Sequence, residues 1–89
     1  MKLGVYSLQK VLFQGEASSV TCNTRSGEIT ILDHHEPLIS MLEKGTIKVI
    51  DENKKEHYIP VKSGFLEVRD NNQAKILIEE EASSASPSR

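Results

Sequence analysis

The segment Asp33-His34-His35-Glu36 contains the residue types best able to bind a metal ion or to move protons. Imidazole and carboxylate groups are common ligands of zinc, and a catalytic zinc usually takes three of them from the protein. Consecutive residues of an extended loop, however, project their side chains in alternating directions, so these four would need special bends to meet at one ion. The segment is therefore predicted to be a polar contact loop, with a metal site as the less favoured interpretation.

The other chemically competent residues lack the neighbours that catalysis requires. Cys22 is the only cysteine, which excludes an internal disulfide and a four-cysteine zinc site. It lies in an alternating segment, so we expect a buried and unreactive thiol. No Gly-x-Ser-x-Gly nucleophile motif is present, and Ser63-Gly64 does not belong to a glycine-rich phosphate loop. We therefore predict no catalytic residues, no bound metal and no cofactor.

Composition favours one small domain and excludes several classes of function. The chain has 89 residues, of which 37% are hydrophobic, and a net charge of -2. Its Lys and Arg residues are scattered and are not interleaved with aromatic residues, which argues against nucleic-acid binding. No apolar run is long enough for a signal peptide or a membrane span. We expect a protein of a reducing cytoplasm that does not insert into a membrane.

Hydrophobic residues alternate with polar ones in short segments separated by turn residues, which is typical of an all-β sandwich or barrel. In two of these segments, Val20 with Cys22 and Ile47 with Val49 are predicted to point into the core. We expect the folded domain to span residues 1–80, followed by a flexible acidic and serine-rich tail at 81–89. The candidate strands are 3–7, 11–13, 19–24, 28–32, 38–42, 46–50, 57–61, 65–69 and 74–78.

Glycine and proline indicate the local geometry of three places along this pattern. Gly27 ends the turn that begins at Arg25, and it can supply the positive φ that such turns often need. Pro37 has no backbone donor and biases Glu36 towards an extended conformation. Pro60 indicates that its strand lies at a sheet edge or carries a bulge.

Three stretches together resemble the epsilon subunit of rotary ATP synthases. The segment 26–38, continuing to Leu42 and Gly45, resembles the Gly-Glu…His-x-Pro-Leu motif of that family, and 63–68 resembles its Gly-Gly-Phe-x-Glu-Val motif. The segment 10–16 is similar to the second strand of the family. The order and spacing of these motifs match from residue 3 to about residue 80.

The resemblance implies a two-sheet β-sandwich of about ten short strands that does no chemistry itself. It implies a subunit of the central stalk, or rotor, of a proton-translocating ATP synthase. There the domain would couple the gamma subunit to the ion-translocating ring of the membrane. It would lie peripherally at the cytoplasmic face of the inner or plasma membrane, and it would bind no nucleotide.

The resemblance also implies which residues face the ring. Glu28 matches the Glu of the Gly-Glu motif and His35 matches the His of the His-x-Pro motif, so both are expected at the ring-facing surface. Such groups on neighbouring loops could meet basic and amide groups of short polar loops. Gly27, Asp33, Glu36 and Pro37 are expected to support these loops.

Two positions depart from the family pattern. Asp33 stands where members usually have proline, so the loop after the strand is expected to begin more loosely. Ser63 replaces the first glycine of Gly-Gly-Phe, which reduces the conformational freedom at that position. Many members also continue as a helical hairpin that carries their regulation, and this sequence does not contain it.

Two other functions remain open at this point. One is a free-standing β-sandwich adaptor or small-ligand-binding module, which would have one dominant concave site. The other is a small metal-dependent enzyme that uses His34 or His35 and retains zinc on purification.

Overall fold

The computed structural model describes residues 1–80 and contains seven β-strands over that range. No helix in this part of the chain is long and apolar enough to cross a membrane. The segment 81–89, which we expected to be a flexible tail, lies outside the described residues. The strands are β1 (Lys2–Tyr6), β2 (Val11–Thr24), β3 (Gly27–Leu32), β4 (Leu38–Leu42), β5 (Gly45–Asp51), β6 (Glu56–Arg69) and β7 (Gln73–Glu80).

The strands form two layers, and the long strands β2 and β6 contribute to both. In the first layer, the C-terminal half of β2 pairs with β3 and β5, and β5 pairs with the N-terminal half of β6. In the second layer, the order runs from the N-terminal half of β2 through β1, β7 and the C-terminal half of β6 to β4. The β1–β7 pair is parallel and the others are antiparallel. The predicted all-β sandwich is therefore confirmed.

The expectation of about ten short strands is wrong, because two pairs of candidate strands are continuous. Strand β2 joins the candidates at 11–13 and 19–24 through Gly15, with an irregularity in the β2–β5 pairing between Ala17 and Ser19. Strand β6 likewise joins 57–61 and 65–69 past an irregularity in its pairing with β7. An irregularity of this kind bends a strand without ending it, so the strand passes from one layer into the other.

The core lies between the layers and consists of the inward members of each alternating strand. The thiol of Cys22 is part of it, which confirms the predicted buried cysteine, and burial raises the pKa of Cys22 to about 11. Its lack of reactivity stays a prediction. Both members of the predicted pairs Val20 with Cys22 and Ile47 with Val49 are buried. The largest fully buried side chains are Leu3, Val5, Val20, Ile31, Ile47, Val49, Val61, Leu66 and Ile76.

Pro60 lies in a segment of β6 that has one neighbouring strand among residues 1–80. Within that range, residues 56–60 of β6 pair with β5 alone, and Pro60 is the partner of Thr46. The missing amide hydrogen therefore removes no bond on the open side of the strand. Of the two geometries that proline indicated, an edge or a bulge, the described residues show the edge.

The two positions of the Ser63-Gly64 motif make different demands on the backbone. A β-carbon built on Gly64 would lie 2.6 Å from the carbonyl oxygen of Leu77, which is closer than real contacts allow. Ser63 is not among the residues with positive φ, so serine is accommodated there without strain. The glycine that this motif needs for close packing of β6 on β7 is Gly64.

We predict that Gly64→Ala lowers the free energy of unfolding by about 1 to 3 kcal/mol, because the added methyl group forces β6 away from the β7 backbone. Urea denaturation followed by circular dichroism measures this change. Ser63→Ala, one residue earlier and exposed, is the control and should change stability by less than about 0.5 kcal/mol. Equal effects of the two substitutions would contradict the close-packing explanation.

Candidate partner-binding surfaces

Glu28 lies at the first end of β3, directly after a tight turn. The hydroxyl of Thr24 accepts a hydrogen bond from the Ser26 amide at 3.1 Å and donates to the Gly27 carbonyl at 2.9 Å. Gly27 has a φ of 118°, so the positive φ predicted for it is confirmed. The Glu28 side chain is exposed and forms no ion pair or hydrogen bond with the described residues. Its carboxylate is therefore available to another molecule.

His35 lies beyond the second end of β3, in the exposed loop 33–37. Its amide donates to the Leu32 carbonyl at 3.2 Å, which closes the turn at the end of the strand. Its Nδ1–H group donates to the Glu36 carbonyl at 2.7 Å. Since that bond occupies Nδ1, Nε2 is the ring nitrogen that remains for a partner. Glu36 thus supports the loop through its backbone, and Pro37 lies exposed just before β4.

Strand β3 separates Glu28 from His35, so the expectation that they lie on neighbouring loops is wrong. Four residue steps from Glu28 to Leu32 span roughly 13 Å at the usual rise of a strand. Thr30 and Leu32 are exposed on the same face of β3 as Glu28, and the Thr30 hydroxyl bonds to that of Thr21 at 2.9 Å. Among the described strands β3 pairs only with β2, so this surface runs along a sheet edge. A partner that contacts both ends must extend along the strand.

Asp33 ties the start of loop 33–37 to other parts of the chain. Its carboxylate accepts hydrogen bonds from the amino group of Met1 and, at 3.5 Å, from the Asn72 side chain. The bond from the Met1 amino group, with a smaller contribution from Asn72, holds the pKa of Asp33 below its usual value. The structure therefore does not support the expected looser start of the loop, because two bonds replace the restriction of a proline.

Asn72 is a contributor to this surface that sequence reasoning missed. Its side-chain oxygen accepts a hydrogen bond from the amide of His34 at 2.7 Å, and the backbone of Asn72 has a φ of 60°. The signal in the sequence was Asn71-Asn72 between two predicted strands, since asparagine is favoured where a turn needs a left-handed residue. That signal locates the turn between β6 and β7 but not its contact with loop 33–37.

In the described residues, His34 and His35 do not belong to a cluster of possible metal ligands. Within residues 1–80, no group of three or more His, Cys, Asp or Glu side chains is close enough to hold a metal ion. His34 has a left-handed φ of 62° and His35 bonds to its neighbouring carbonyl. The absence of a bound metal stays a prediction.

A second surface, also missed from sequence, is a row of large apolar side chains across the outer face of the second layer. We call it the apolar row: Val11, Tyr6, Leu77, Phe65 and Met41 follow one another across five neighbouring strand segments. Met41 is 66% exposed, and Phe65 and Leu77 are each 50% exposed. Phe65 and Leu77 are adjacent to buried residues in alternating strands, which could have indicated their outward position.

The apolar row continues towards Ile39, which is 73% exposed. An open depression of about 300 Å³ lies between Ile39, Phe65 and Leu77. Depressions elsewhere on the described surface lie beside β1 and beside the β5–β6 hairpin, so the concave regions are distributed rather than gathered into one site. An apolar face and a polar strand edge on different layers are what a domain that binds other proteins presents.

Taken together, these features define a small all-β sandwich domain with two exposed candidate binding surfaces. The chain belongs to the family of the ATP synthase delta/epsilon chain β-sandwich domain, whose profile matches residues 1–83. The resemblance seen in the sequence motifs is therefore confirmed.

Named relatives support the same family. The chain is 39% identical over 69 residues to the ATP synthase epsilon chain of Bordetella petrii, a match that covers 78% of this chain and 49% of the relative. It is 32% identical over 69 residues to the ATP synthase epsilon chain of Alkalilimnicola ehrlichii, with the same coverage. The chain thus spans about half the length of the curated relatives it matches.

Two solved structures share the fold. One is a chain of the Euglena gracilis mitochondrial ATP synthase structure that contains OSCP, F1 and the c-ring, with a TM-score of 0.82 and 24% identity over 88% of this chain and 49% of that one. The other is a chain of the Tetrahymena thermophila mitochondrial ATP synthase central stalk and c-ring, with a TM-score of 0.78 and 16% identity over 90% and 63% of the two chains.

The bonded carboxylate of Asp33 predicts a pH-dependent contribution to stability. Because folding lowers its pKa, the contribution is fully present above the usual value of 3.8 and is lost as the pH falls through the lower folded value. We expect Asp33→Asn to lower the melting temperature at neutral pH, and the difference from the unsubstituted chain to shrink below about pH 4.

The measurement is thermal unfolding followed across the acid range. Asp70→Asn is the control, because Asp70 is exposed and has no bonded partner among the described residues. A deficit of Asp33→Asn that stays constant from neutral to strongly acidic pH would show that its charge is not what stabilises the loop.

Proposed function

We propose that this chain is a non-catalytic subunit of the central stalk of a rotary, proton-translocating ATP synthase, where it couples the gamma subunit to the ion-translocating ring. The observation that carries the proposal is the match of residues 1–83 to the delta/epsilon β-sandwich family. The relatives named as ATP synthase epsilon chains support it, as does the shared fold with chains of two ATP synthase assemblies.

The apolar row is the candidate surface for the gamma subunit. Its side chains cross five strand segments, which at the usual spacing is roughly 19 Å from end to end. Aromatic and Met side chains such as Phe65 and Met41 are enriched at the centres of protein interfaces. These exposed side chains do not contribute to the core of this domain, because the inward residues of the same strands fill it. A second protein that covers the row removes this area from water.

The edge of β3 is the candidate surface for the ion-translocating ring. Glu28 contributes a carboxylate that has no partner within residues 1–80, and His35 contributes a ring nitrogen at the opposite end of the strand. Both groups can form charge-assisted or neutral hydrogen bonds with polar loops of a ring subunit. Each exposed contact is worth roughly 0 to 1 kcal/mol, so this surface contributes more to the orientation of the domain on the ring than to its affinity for the ring.

This assignment has consequences for partners and location. The proposed partners are the gamma subunit and the ring subunits, and the chain would bind neither nucleic acid nor nucleotide. It would reach the membrane only through the complex, at the cytoplasmic face of the inner or plasma membrane.

Glu28→Ala combined with His35→Ala should weaken coupling to the ring while the domain stays folded, because both side chains are exposed and neither packs in the core. Proton pumping by the reconstituted complex and thermal stability of the free chain are the two measurements. Glu52→Ala with Lys54→Ala, two exposed residues in the β5–β6 turn, is the matched control. Loss of folding in the Glu28/His35 variant, or pumping and assembly that remain unchanged, would disprove the assignment.

Phe65→Ser should weaken binding to the purified gamma subunit by about tenfold or more. Removal of an aromatic side chain from the centre of an interface typically costs about 2 kcal/mol or more of binding free energy. Tyr58→Ser is the control: Tyr58 is similarly exposed, at 59%, but lies on the other layer. Titration by isothermal calorimetry gives both affinities. If Tyr58→Ser weakens binding as much as Phe65→Ser, the gamma subunit does not select the apolar row.

A further inference from the structure

The carboxamide of Asn72 bonds to both residues that precede His35 in loop 33–37. Its oxygen accepts the His34 amide at 2.7 Å, and its NH₂ group donates to the Asp33 carboxylate at 3.5 Å. Its backbone carbonyl accepts the Lys2 amide at 3.0 Å, which fixes Asn72 to the start of β1. The contact with His34 joins residues 38 positions apart in the chain. Asn72 therefore links the loop to the frame of the second layer.

The loop needs such a contact because His34 adopts an unfavourable backbone conformation. Its φ of 62° lies in the left-handed region, which residues with a β-carbon occupy at a cost unless the surroundings hold them there. Asn72 itself has a φ of 60°, which asparagine tolerates better than most residues. Asn72 thus holds His34 in the left-handed conformation through a short hydrogen bond.

The conformation of His34 decides where His35 lies. With His34 left-handed, the next amide, that of His35, turns back to the Leu32 carbonyl at 3.2 Å. The His35 ring then bonds through Nδ1 to the Glu36 carbonyl at 2.7 Å, and Nε2 has no bonded partner in the described part of the chain. If His34 relaxed to an ordinary φ, this turn would open and the imidazole would move.

We propose that Asn72 is a positioning residue for partner recognition: it holds His34 in the left-handed conformation and so presents the His35 imidazole to the ion-translocating ring. This inference rests on the proposed function, because it assigns Asn72 to the same ring-facing surface. Asn72 acts through His34 and His35 and need not touch the ring itself.

The test uses Asn72→Gly, which removes the carboxamide but tolerates a φ of 60°, so backbone strain does not confuse the result. Asn71→Gly makes the same chemical change one residue earlier, where the side chain is exposed and has no bonded partner in the described part. Hydrogen exchange of the His34 amide in the full chain directly measures its hydrogen bond to the Asn72 side chain, which we call the clamp. We expect about tenfold faster exchange for Asn72→Gly and no change for Asn71→Gly.

Binding to the purified ring in nanodiscs measures recognition, and binding to the gamma subunit measures specificity. Asn72→Gly should weaken ring binding by about two- to fivefold, as expected for loss of the exposed His35 contact with the ring, and leave gamma binding unchanged. In a His35→Ala background it should weaken ring binding no further, because both changes remove the same contact.

The outcomes separate the clamp from the proposed function. His35→Ala without effect on the ring would overturn the ring assignment and the role of Asn72 with it. If His35→Ala weakens ring binding, the proposed ring contact stands and the result for Asn72 decides the clamp. Unchanged His34 exchange, unchanged ring binding, or an equal loss of gamma binding in Asn72→Gly would then overturn the inference about Asn72 alone.

Discussion

The passage of two long strands from one layer to the other is the constraint on which this structure depends. Strands β2 and β6 supply hydrogen bonds to both layers, so neither layer is complete without them. Each strand has to bend without losing its alternation on either side, and the irregularities near Ala17 and Val61 provide that bend. The arrangement encloses one core without any helix in residues 1–80, and over that range it leaves β3 and residues 56–60 of β6 with one neighbouring strand each.

Local pattern predicted the core well because alternation is a property of each strand alone. The inward positions of Val20, Cys22, Ile47 and Val49 followed from it. The number of strands did not follow, because Gly15 and its polar neighbours look like a turn when only adjacent residues are considered. What keeps β2 continuous is pairing with β1 on one side of the bend and with β3 and β5 on the other. Such long-range pairing is not visible in a segment of ten residues.

Local sequence likewise predicted some features of the candidate surfaces and missed those that depend on long-range contacts. The turn glycine Gly27 and the exposed loop at His35 could be predicted, since their residue types report local backbone needs. The separation of Glu28 from His35 by the length of β3 was missed, although both residues were correctly placed in exposed positions. The bond between Asn72 and His34 was beyond reach, because it joins two turns that come together only when both layers have formed.

The chemical difference between the two surfaces explains how one small domain could serve the two proposed partners. Affinity between proteins comes mostly from a few well-buried apolar contacts, which the apolar row can supply. Exposed polar groups add little affinity but are sensitive to geometry, since a hydrogen bond weakens steeply with misalignment. A polar edge is therefore useful only if its groups are held in fixed positions. The Thr24–Gly27 turn at one end of β3 and the Asn72–His34 contact at the other provide that rigidity, so the polar surface depends on the same packed frame that carries the apolar row.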